Sequence, residues 1–359
     1  MLKLVAKTTG RLQIALIDLN GSYSNRVDGS IGLTLKHPET ISIIEPLDNN
    51  EVLVINHDEA NISNETVKDT KKAIKIIQEK YKLSGVKIGL KKCLPLHSGF
   101  GSKTQSLLSI AAAYCQLNEV DYDYRDLAQD VGRGGTSGIG VEGFNSGGFI
   151  VDCGHDFDQK DRTFRCSGAS KHVYPPPIVG RYDCPRWPIL VVTPNNRTRF
   201  FGNSEVDHWK RNCPIPLYDA QACAHIALMM MIPAVIEDNL GLFCNGINKI
   251  QTLAWKRSLI DAQSPTVRKL FDHLRFLGLD GIGLSSAGPT VYALGASLLK
   301  KQFQENVLNE VSLFLEKNGG GNCIITFPNN NGAKIEKYRE RESVSSKKKH
   351  TKSAPSYEV

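Results

Sequence analysis

Paired cysteines are what this sequence most plainly lacks. Its nine cysteines stand singly, with no Cys-x-x-Cys, which argues against a disulfide framework or a structural zinc site and leaves reduced, buried thiols. Long apolar runs are missing as well. Met1–Leu16 is broken by Lys3, Lys7 and Arg11, so it has no signal-peptide core, and no later segment is expected to span a membrane. The expectation is a cytoplasmic protein with no membrane partner. No Gly-x4-Gly-Lys-Ser/Thr loop occurs, and the densest glycine cluster follows a helical run, so neither a Walker A loop nor a Rossmann fingerprint fits. The net charge is +7, but residues 334–359 hold eight Lys/Arg against four Glu and supply +4 of it. The rest is nearly balanced and shows no basic patch interleaved with aromatics, so no nucleic-acid partner is expected. Residues 331–359 read as a basic, disordered tail.

What is present is enough chain for two domains: 359 residues, divided here as 1–195 and 196–330 at the polar Pro194–Asn203 loop. Alternation from Leu12 to Ile17 and the Asn20-Gly21-Ser22 turn open a meander, with further strands at Ile31–Leu35, Ile41–Ile44 and Glu51–Asn56. Asn64–Tyr81 is helical, its face carrying Val67, Ala73, Ile74, Ile77 and Tyr81. Strand Val86–Leu94, helix Leu107–Leu117, helix Tyr124–Val131 and strands Gly148–Val151 and Ile189–Thr193 follow. The second half reads as helices Asp219–Glu237, Leu240–Ile260 and Thr266–Leu277, strands Gly281–Ser285 and Thr290–Leu294, helix Phe303–Asn318 and strand Cys323–Phe327. That order fits an α+β sandwich with an antiparallel sheet.

Three glycine-containing elements carry the chemistry. Pro95-Leu96-His97-Ser98-Gly99-Phe100-Gly101-Ser102 lies between a strand and a helix, where unpaired amides and the helix dipole favour an anion. Gly132–Gly140 is dense in backbone donors and hydroxyls, and Gly283–Thr290 lies between two expected strands. Each alone also reads as an ordinary turn.

Together, Pro95-x3-Gly99-x-Gly101-Ser102 and the late Ser285-Ser286-x-Gly288-Pro289-Thr290-Val291-Tyr292-Ala293-Leu294 resemble the GHMP superfamily of galactokinase-, homoserine kinase- and mevalonate kinase-like proteins. The resemblance spans residues 5–328. It implies a two-domain GHMP-kinase-like fold, with an N-terminal ribosomal protein S5 domain 2-like unit and a C-terminal ferredoxin-like α+β sandwich. The chain departs from the kinases at Lys103-Thr104-Gln105, where they continue Ser-Ala-Ala. Its opening block Gly10–Gly21 is similar to the β-ribofuranosylaminobenzene 5′-phosphate synthase family, a non-kinase branch of the superfamily. The likeness continues through Arg26–Leu33, Gly132–Gly140, Gly147–Asp152, Pro175-Pro176-Pro177 with Arg181-Tyr182, and Gly283–Leu294.

That likeness implies a phosphoribosyl transfer in tetrahydromethanopterin-type cofactor biosynthesis. Phosphoribosyl diphosphate loses diphosphate, and its C1 joins the ring carbon of 4-hydroxybenzoate or 4-aminobenzoate as CO2 leaves. Mg2+ is the expected cofactor, because it shields the diphosphate; its ligands are left unassigned. Diphosphate departure leaves positive charge on C1, so carboxylates near the ribose are sought. Asp18 and Asp28 flank the first turn, and Arg26 between them offers a bidentate clamp for phosphate or carboxylate; a surface hairpin with a local ion pair is the plainer alternative. For binding the substrate and its phosphates, the candidates are His97, Gly99, Gly101, Ser102, Lys103 and Thr104 in the first element. Gly134, Gly135, Thr136 and Ser137 form a second anion nest, with Arg181, Ser286 and Gly288 beyond it. His155 is the other histidine near the motifs, and a lone histidine is more often structural. The competing readings are an ATP-dependent small-molecule kinase of the same superfamily and a silent binding protein working through its basic tail. A homodimer is left open.

Overall fold

A computed structural model describes residues 2–56, 62–195 and 202–337. Strands β1 (Leu4–Asp18) and β2 (Arg26–Pro46) form a long antiparallel ribbon in register from Leu4↔Ile44 to Asp18↔Asp28. The sequence reading divides β2 into two strands, 31–35 and 41–44. The strand is continuous because residues 35–38 bulge off β1 and find other partners. Lys36 N donates to Phe327 O at 2.8 Å and His37 N to Thr326 Oγ1 at 3.0 Å, so no backbone group is stranded.

Helix α1 (Asn64–Tyr81) crosses from β3 (Val52–Asn56) to its parallel neighbour β4 (Val86–Lys92). Ser63 caps it by accepting from Thr66 N, and Ala73, Ile74 and Ile77 are buried as their spacing predicts. Helix α2 (Ser102–Leu117) begins five residues before the apolar run that announces it. Its first turns are polar yet buried: Gln105 Nε2 donates to Gly140 O at 2.7 Å, and Thr8 Oγ1 donates to Gln105 Oε1 at 2.5 Å.

Helices α3 (Tyr124–Asp130) and α4 (Ile139–Asn145) follow, then β5 (Phe149–Asp152), β6 (His155–Asp156) and β7 (Ile178–Tyr182). β5 and β6 extend the sheet along β2, and β7 pairs β5. A second, antiparallel sheet has the order β11 (Gly321–Thr326), β8 (Ile189–Pro194), β10 (Val291–Leu294), β9 (Gly281–Leu284). Helices α5 (Asn203–Asn212), α6 (Leu217–Ile226), α7 (Ile232–Ile236), α8 (Leu240–Thr252), α9 (Ala254–Asp261), α10 (Pro265–Phe276) and α11 (Lys301–Lys317) accompany it. This is the expected α+β architecture with two amendments. By pairing, β8 belongs to the second sheet although it precedes the expected 195/196 boundary. The start of the expected tail is ordered as β12 (Lys334–Lys337), which pairs with Leu4–Lys7 of β1 because its backbone completes that sheet edge; residues 338–359 lie outside the described residues.

One expectation of length fails. Leu217–Ile236 is a 20-residue helical stretch long and apolar enough to cross a membrane, with a mean hydropathy of 1.5. The expected helix Asp219–Glu237 covers most of it. A single π turn at Ala227–Met231 joins α6 to α7, and Cys223, Ile226, Met231 and Val235 lie in the core.

Gln105→Leu removes the side-chain donor to the Gly140 carbonyl and leaves the buried Thr8 hydroxyl without its acceptor. It is expected to lower unfolding stability by about 2–4 kcal/mol, read as a fall in the urea midpoint at unchanged slope. A shift under 0.5 kcal/mol would contradict this role.

Candidate active site

The anion-seeking loop is fixed from both sides. Gly101 caps α2 in the left-handed region (φ 72°), and Gly99 (φ 92°) lies so close to the Gly283–Thr290 turn that a Cβ would come within 2.5 Å of Ser285 O. The Gly99 carbonyl accepts from Arg11 Nη1 at 2.6 Å and from Ser285 Oγ at 2.7 Å. Ser286 N donates to Gln13 O at 3.0 Å, so the third glycine element is hydrogen-bonded to β1.

These contacts build a narrow polar cleft, of about 60 Å³, lined by Thr104 of α2, by Gly134, Thr136 and Ser137, and by Ser286. Among the described residues its charged lining is Arg11, Arg133, Lys256 and a single carboxylate, Glu205. Arg133 Nε donates to Thr104 Oγ1 at 2.9 Å, and Lys256 Nζ donates to Leu284 O at 2.7 Å and Ser286 O at 3.1 Å. Arg11 Nε is buried with no partner among the described residues. Burial lowers Arg11 to about 10, with Arg133 adding to the effect. Lys256 falls to about 7 through burial and then the repulsion of Arg11. Burial likewise raises Glu205 to about 7, opposed by Arg133. The cleft thus holds three cations out of water against one carboxylate.

None of these four residues was singled out from sequence. Arg11 and Arg133 lie inside the glycine-flanked blocks Gly10–Gly21 and Gly132–Gly140, where adjacency to glycine was the available signal. Lys256 and Glu205 lie on α9 and α5 with no local signature, and only the packing reveals them.

The expected residues divide. Thr104, Gly134, Thr136, Ser137 and Ser286 line the cleft, while Gly99 and Gly101 shape its edge. Gly135 is a packing glycine, since a Cβ there would sit 1.8 Å from Ser170 O, and Gly288 lies in the turn under Gln263. Ser102 uses its hydroxyl on Pro95 O at 2.5 Å. Lys103 is drawn away to the acidic start of α1, pairing with Asp69 at 2.6 Å and Glu65 at 3.4 Å. His97 sits 3.2 Å from Glu65 and faces a separate groove of about 680 Å³ on the other side of the loop. Arg181 is no phosphate ligand: its guanidinium donates to the carbonyls of Ser146, Gly147 and Asn330 and pairs with Asp183.

Asp18, Arg26 and Asp28 do meet, but at a different cavity, of about 280 Å³ and mostly apolar, shared with Asp152. Asp18 Oδ1 accepts from the amides of Asn20 and Gly21. Arg26 donates to the carbonyls of Cys153 and Gly154, so it is not a free clamp. Asp28 is fully buried, its Oδ2 bonded to Lys160 Nζ at 2.7 Å and His155 Nδ1 at 2.8 Å. Burial raises Asp152 to about 6 despite bonds from Ser30 and the amides of Gly138 and Gly154. With Asp28 paired to Lys160, Asp18 and Asp152 face the cavity with Arg26, which leaves no surplus of positive charge for a phosphate.

The chain is similar to known proteins across nearly its full length. The family model for the GHMP kinases N terminal domain matches residues 68–148. A beta-ribofuranosylphenol 5′-phosphate synthase of Methanothermobacter thermautotrophicus is 35% identical over 340 residues, covering 93% of this chain and 98% of the relative. That of Methanocaldococcus jannaschii is 36% identical, covering 92% and 100%. Among solved structures, a homoserine kinase from Cytophaga hutchinsonii aligns with a TM-score of 0.65 at 16% identity, covering 93% of this chain and 97% of that one. A mevalonate pyrophosphate decarboxylase from Streptococcus pyogenes aligns at 0.60 and 14%, covering 91% and 97%. At those identities the structures establish the fold, which is that of the GHMP kinases.

The cleft's titration has a definite sign. Above about pH 7 Lys256 loses its proton and Glu205 gains charge, so both changes oppose an anion. Binding of sulfate, which does not titrate in this range, is expected to weaken by roughly tenfold per unit between pH 7.5 and 9. Lys256→Met should bind sulfate weakly at every pH, with that slope reduced. Calorimetric titration at four pH values checks both, and a flat wild-type profile would remove Lys256 and Glu205 from the anion site. For the ligand-free protein the sign reverses. Between pH 7 and 10.5 the unfolded chain holds a Lys256 proton that the folded one lacks, so this group raises stability as pH rises through that window.

Proposed function

The chain belongs to the beta-ribofuranosylphenol 5′-phosphate synthase family, and from that premise we propose how its cleft performs the reaction. The activity is a phosphoribosyl transfer of methanopterin biosynthesis, catalysed by a pentosyltransferase. We take phosphoribosyl diphosphate as donor and 4-hydroxybenzoate as acceptor. The phenol in the relatives' name is what that acid becomes once its carboxyl departs; 4-aminobenzoate would leave an aniline.

One observation carries the placement: Arg11, Arg133 and Lys256 converge on a single cleft beside the α2 N-terminus. The diphosphate sits among them, where its charges offset the desolvation that burial imposes on the three cations. As the C1–O bond breaks, its electron pair leaves with the diphosphate, and the same cations stabilise the departing charge more than the bound ester. The ring carbon bearing the carboxylate attacks C1. The bond to the carboxyl carbon then breaks, its pair restores the aromatic ring, and CO2 leaves. No proton transfer is required in this sequence, consistent with a cleft rich in fixed cations.

Magnesium fits this arrangement in one way. No group of three or more His, Cys, Asp or Glu is placed to hold an ion among the described residues. Mg2+ is commonly held by one or two carboxylates plus substrate phosphates, and Glu205 is the carboxylate on the cleft. When bound, the ion neutralises diphosphate charge.

With phosphoribosyl diphosphate and Mg2+, the protein is expected to release 14CO2 from carboxyl-labelled 4-hydroxybenzoate. Arg11→Gln should slow release by about 100-fold or more, the loss of a buried charged contact to the leaving group. No release from either benzoate, together with ATP turnover on a sugar or alcohol, would favour the kinase reading.

A further inference from the structure

The proposed reaction leaves positive charge on C1 of the ribose, and the cleft that holds the diphosphate has little negative charge to meet it. Among the described residues that line the cleft, Glu205 is the single carboxylate, and burial pushes it toward its protonated form. A neighbouring cavity of about 470 Å³, lined by Arg162, Arg165 and Lys210, adds only cations, and the buried Trp209 stands between the two. A chain of hydroxyls, however, does reach an anion. Ser137 Oγ, on the cleft, lies 2.8 Å from Ser30 Oγ, and Ser30 in turn donates to Asp152 Oδ2. We propose that Ser137 accepts a hydrogen bond from a ribose hydroxyl of phosphoribosyl diphosphate, with Ser30 and Asp152 as the positioning residues behind it; the assignment rests on the synthase reading above.

Counting hydrogens sets the direction of the chain. A hydroxyl has one hydrogen to give and two lone pairs with which to accept. Ser30 is fully buried and spends its hydrogen on Asp152. The hydrogen between the two serines is therefore that of Ser137, which donates to Ser30. Asp152 ends the chain as an anion. It also accepts from Gly138 N at 2.8 Å and Gly154 N at 3.0 Å, and although burial raises it to about 6, it is ionised at neutral pH. With its hydrogen committed, Ser137 meets the cleft with lone pairs alone, one of them approached by Ile139 N at 3.4 Å.

A side chain that can only accept is a poor partner for a phosphate and a good one for an alcohol. This separates Ser137 from the anion nest in which its sequence neighbours place it. Thr104 Oγ1, by contrast, accepts from Arg133 Nε and can still donate to an anion. The ribose is joined to the diphosphate through one ester oxygen, so its hydroxyls share the cleft with Arg11, Arg133 and Lys256. As the C1–O bond breaks, positive charge spreads into the ring and its hydroxyls become stronger donors. A hydrogen bond to an oxygen backed by a carboxylate then tightens, which favours the transition state over the bound substrate. Asp152 thereby lends charge to the ribose without entering the cleft, where it would oppose the diphosphate.

Steady-state CO2 release with altered ribose hydroxyls tests the contact. Ser137→Ala is expected to lower kcat about tenfold or more, with the KM for phosphoribosyl diphosphate changed by less than about threefold. Its sulfate affinity should match the wild type, since a hydroxyl that only accepts holds no anion. Two analogues of phosphoribosyl diphosphate carry fluorine in place of the 2- or the 3-hydroxyl. With one of them, wild type and Ser137→Ala should turn over alike, because fluorine has no hydrogen to give. Ser30→Ala should lower kcat about fivefold, and adding it to Ser137→Ala should cost nothing further; additive losses would make Ser30 merely structural. Ser137 lies half-buried at the cleft, so its variant reads the contact even where Ser30→Ala fails to fold. Equal losses with all three substrates would overturn the proposal. So would weakened sulfate binding at unchanged kcat, which returns Ser137 to the phosphates. Absence of CO2 release in the wild type would instead overturn the function; intact release with an unchanged kcat in Ser137→Ala overturns only the ribose contact.

Discussion

The Gly99 carbonyl accepts two hydrogen bonds at once, from the Arg11 guanidinium at 2.6 Å and the Ser285 hydroxyl at 2.7 Å, and so joins three segments far apart in sequence. Arg11 comes from the first strand, Gly99 from the loop before α2, and Ser285 from the turn between β9 and β10. With φ near +92° and a Ser285 oxygen where a Cβ would be, position 99 admits only glycine without rearrangement. The amide-rich start of α2 is thereby set against the second sheet, and Arg11 is held with Nη1 spent on the Gly99 carbonyl and Nε buried without a partner among the described residues.

That constraint explains the electrostatics of the cleft. Three cations are held together away from water, and the pKa of Lys256 is lowered first by that burial and then by the repulsion of Arg11. Local hydrogen bonds moderate it: Lys256 is solvated by backbone carbonyls and Arg133 by Thr104. They do not neutralise it, since the lone acid, Glu205, is itself pushed toward its protonated form. The cleft therefore keeps an unbalanced positive charge away from water.

How much of this was legible in the sequence follows from how local each feature is. The α1 face, the glycine elements and the order of strands in the second half depend on residues a few positions apart, and pattern alone locates them. β2 was divided because Lys36–Glu39 resolves its hydrogen bonds against residues 326 and 327, nearly three hundred positions away. The start of α2 was missed because Thr104 and Gln105 are polar, and only their buried partners make them core residues. Lys103 and Arg181 carried the right charge for phosphate, but nearby carboxylates and carbonyls claim both. Arg11, Arg133, Lys256 and Glu205 become a site only where four elements converge.

The Asp18, Arg26 and Asp28 block shows how a chemically suggestive motif acts at one remove. Asp28 sits at φ +69°, buried, with Lys160 and His155 both on Oδ2. Such a buried arrangement adds little net stability over apolar packing, but removing one partner is costly, so it enforces geometry more than it adds energy. Lys160 also reaches Arg165 O at 3.4 Å, and the 160–170 segment it anchors supplies Ser167 to the cleft and Cys166 to the neighbouring cavity. On the other side, Ser30 bridges Ser137 at the cleft and Asp152 at the carboxylate-lined cavity. Asp28 and Asp152 therefore fasten, through Lys160 and Ser30, the segments that wall the cation cleft.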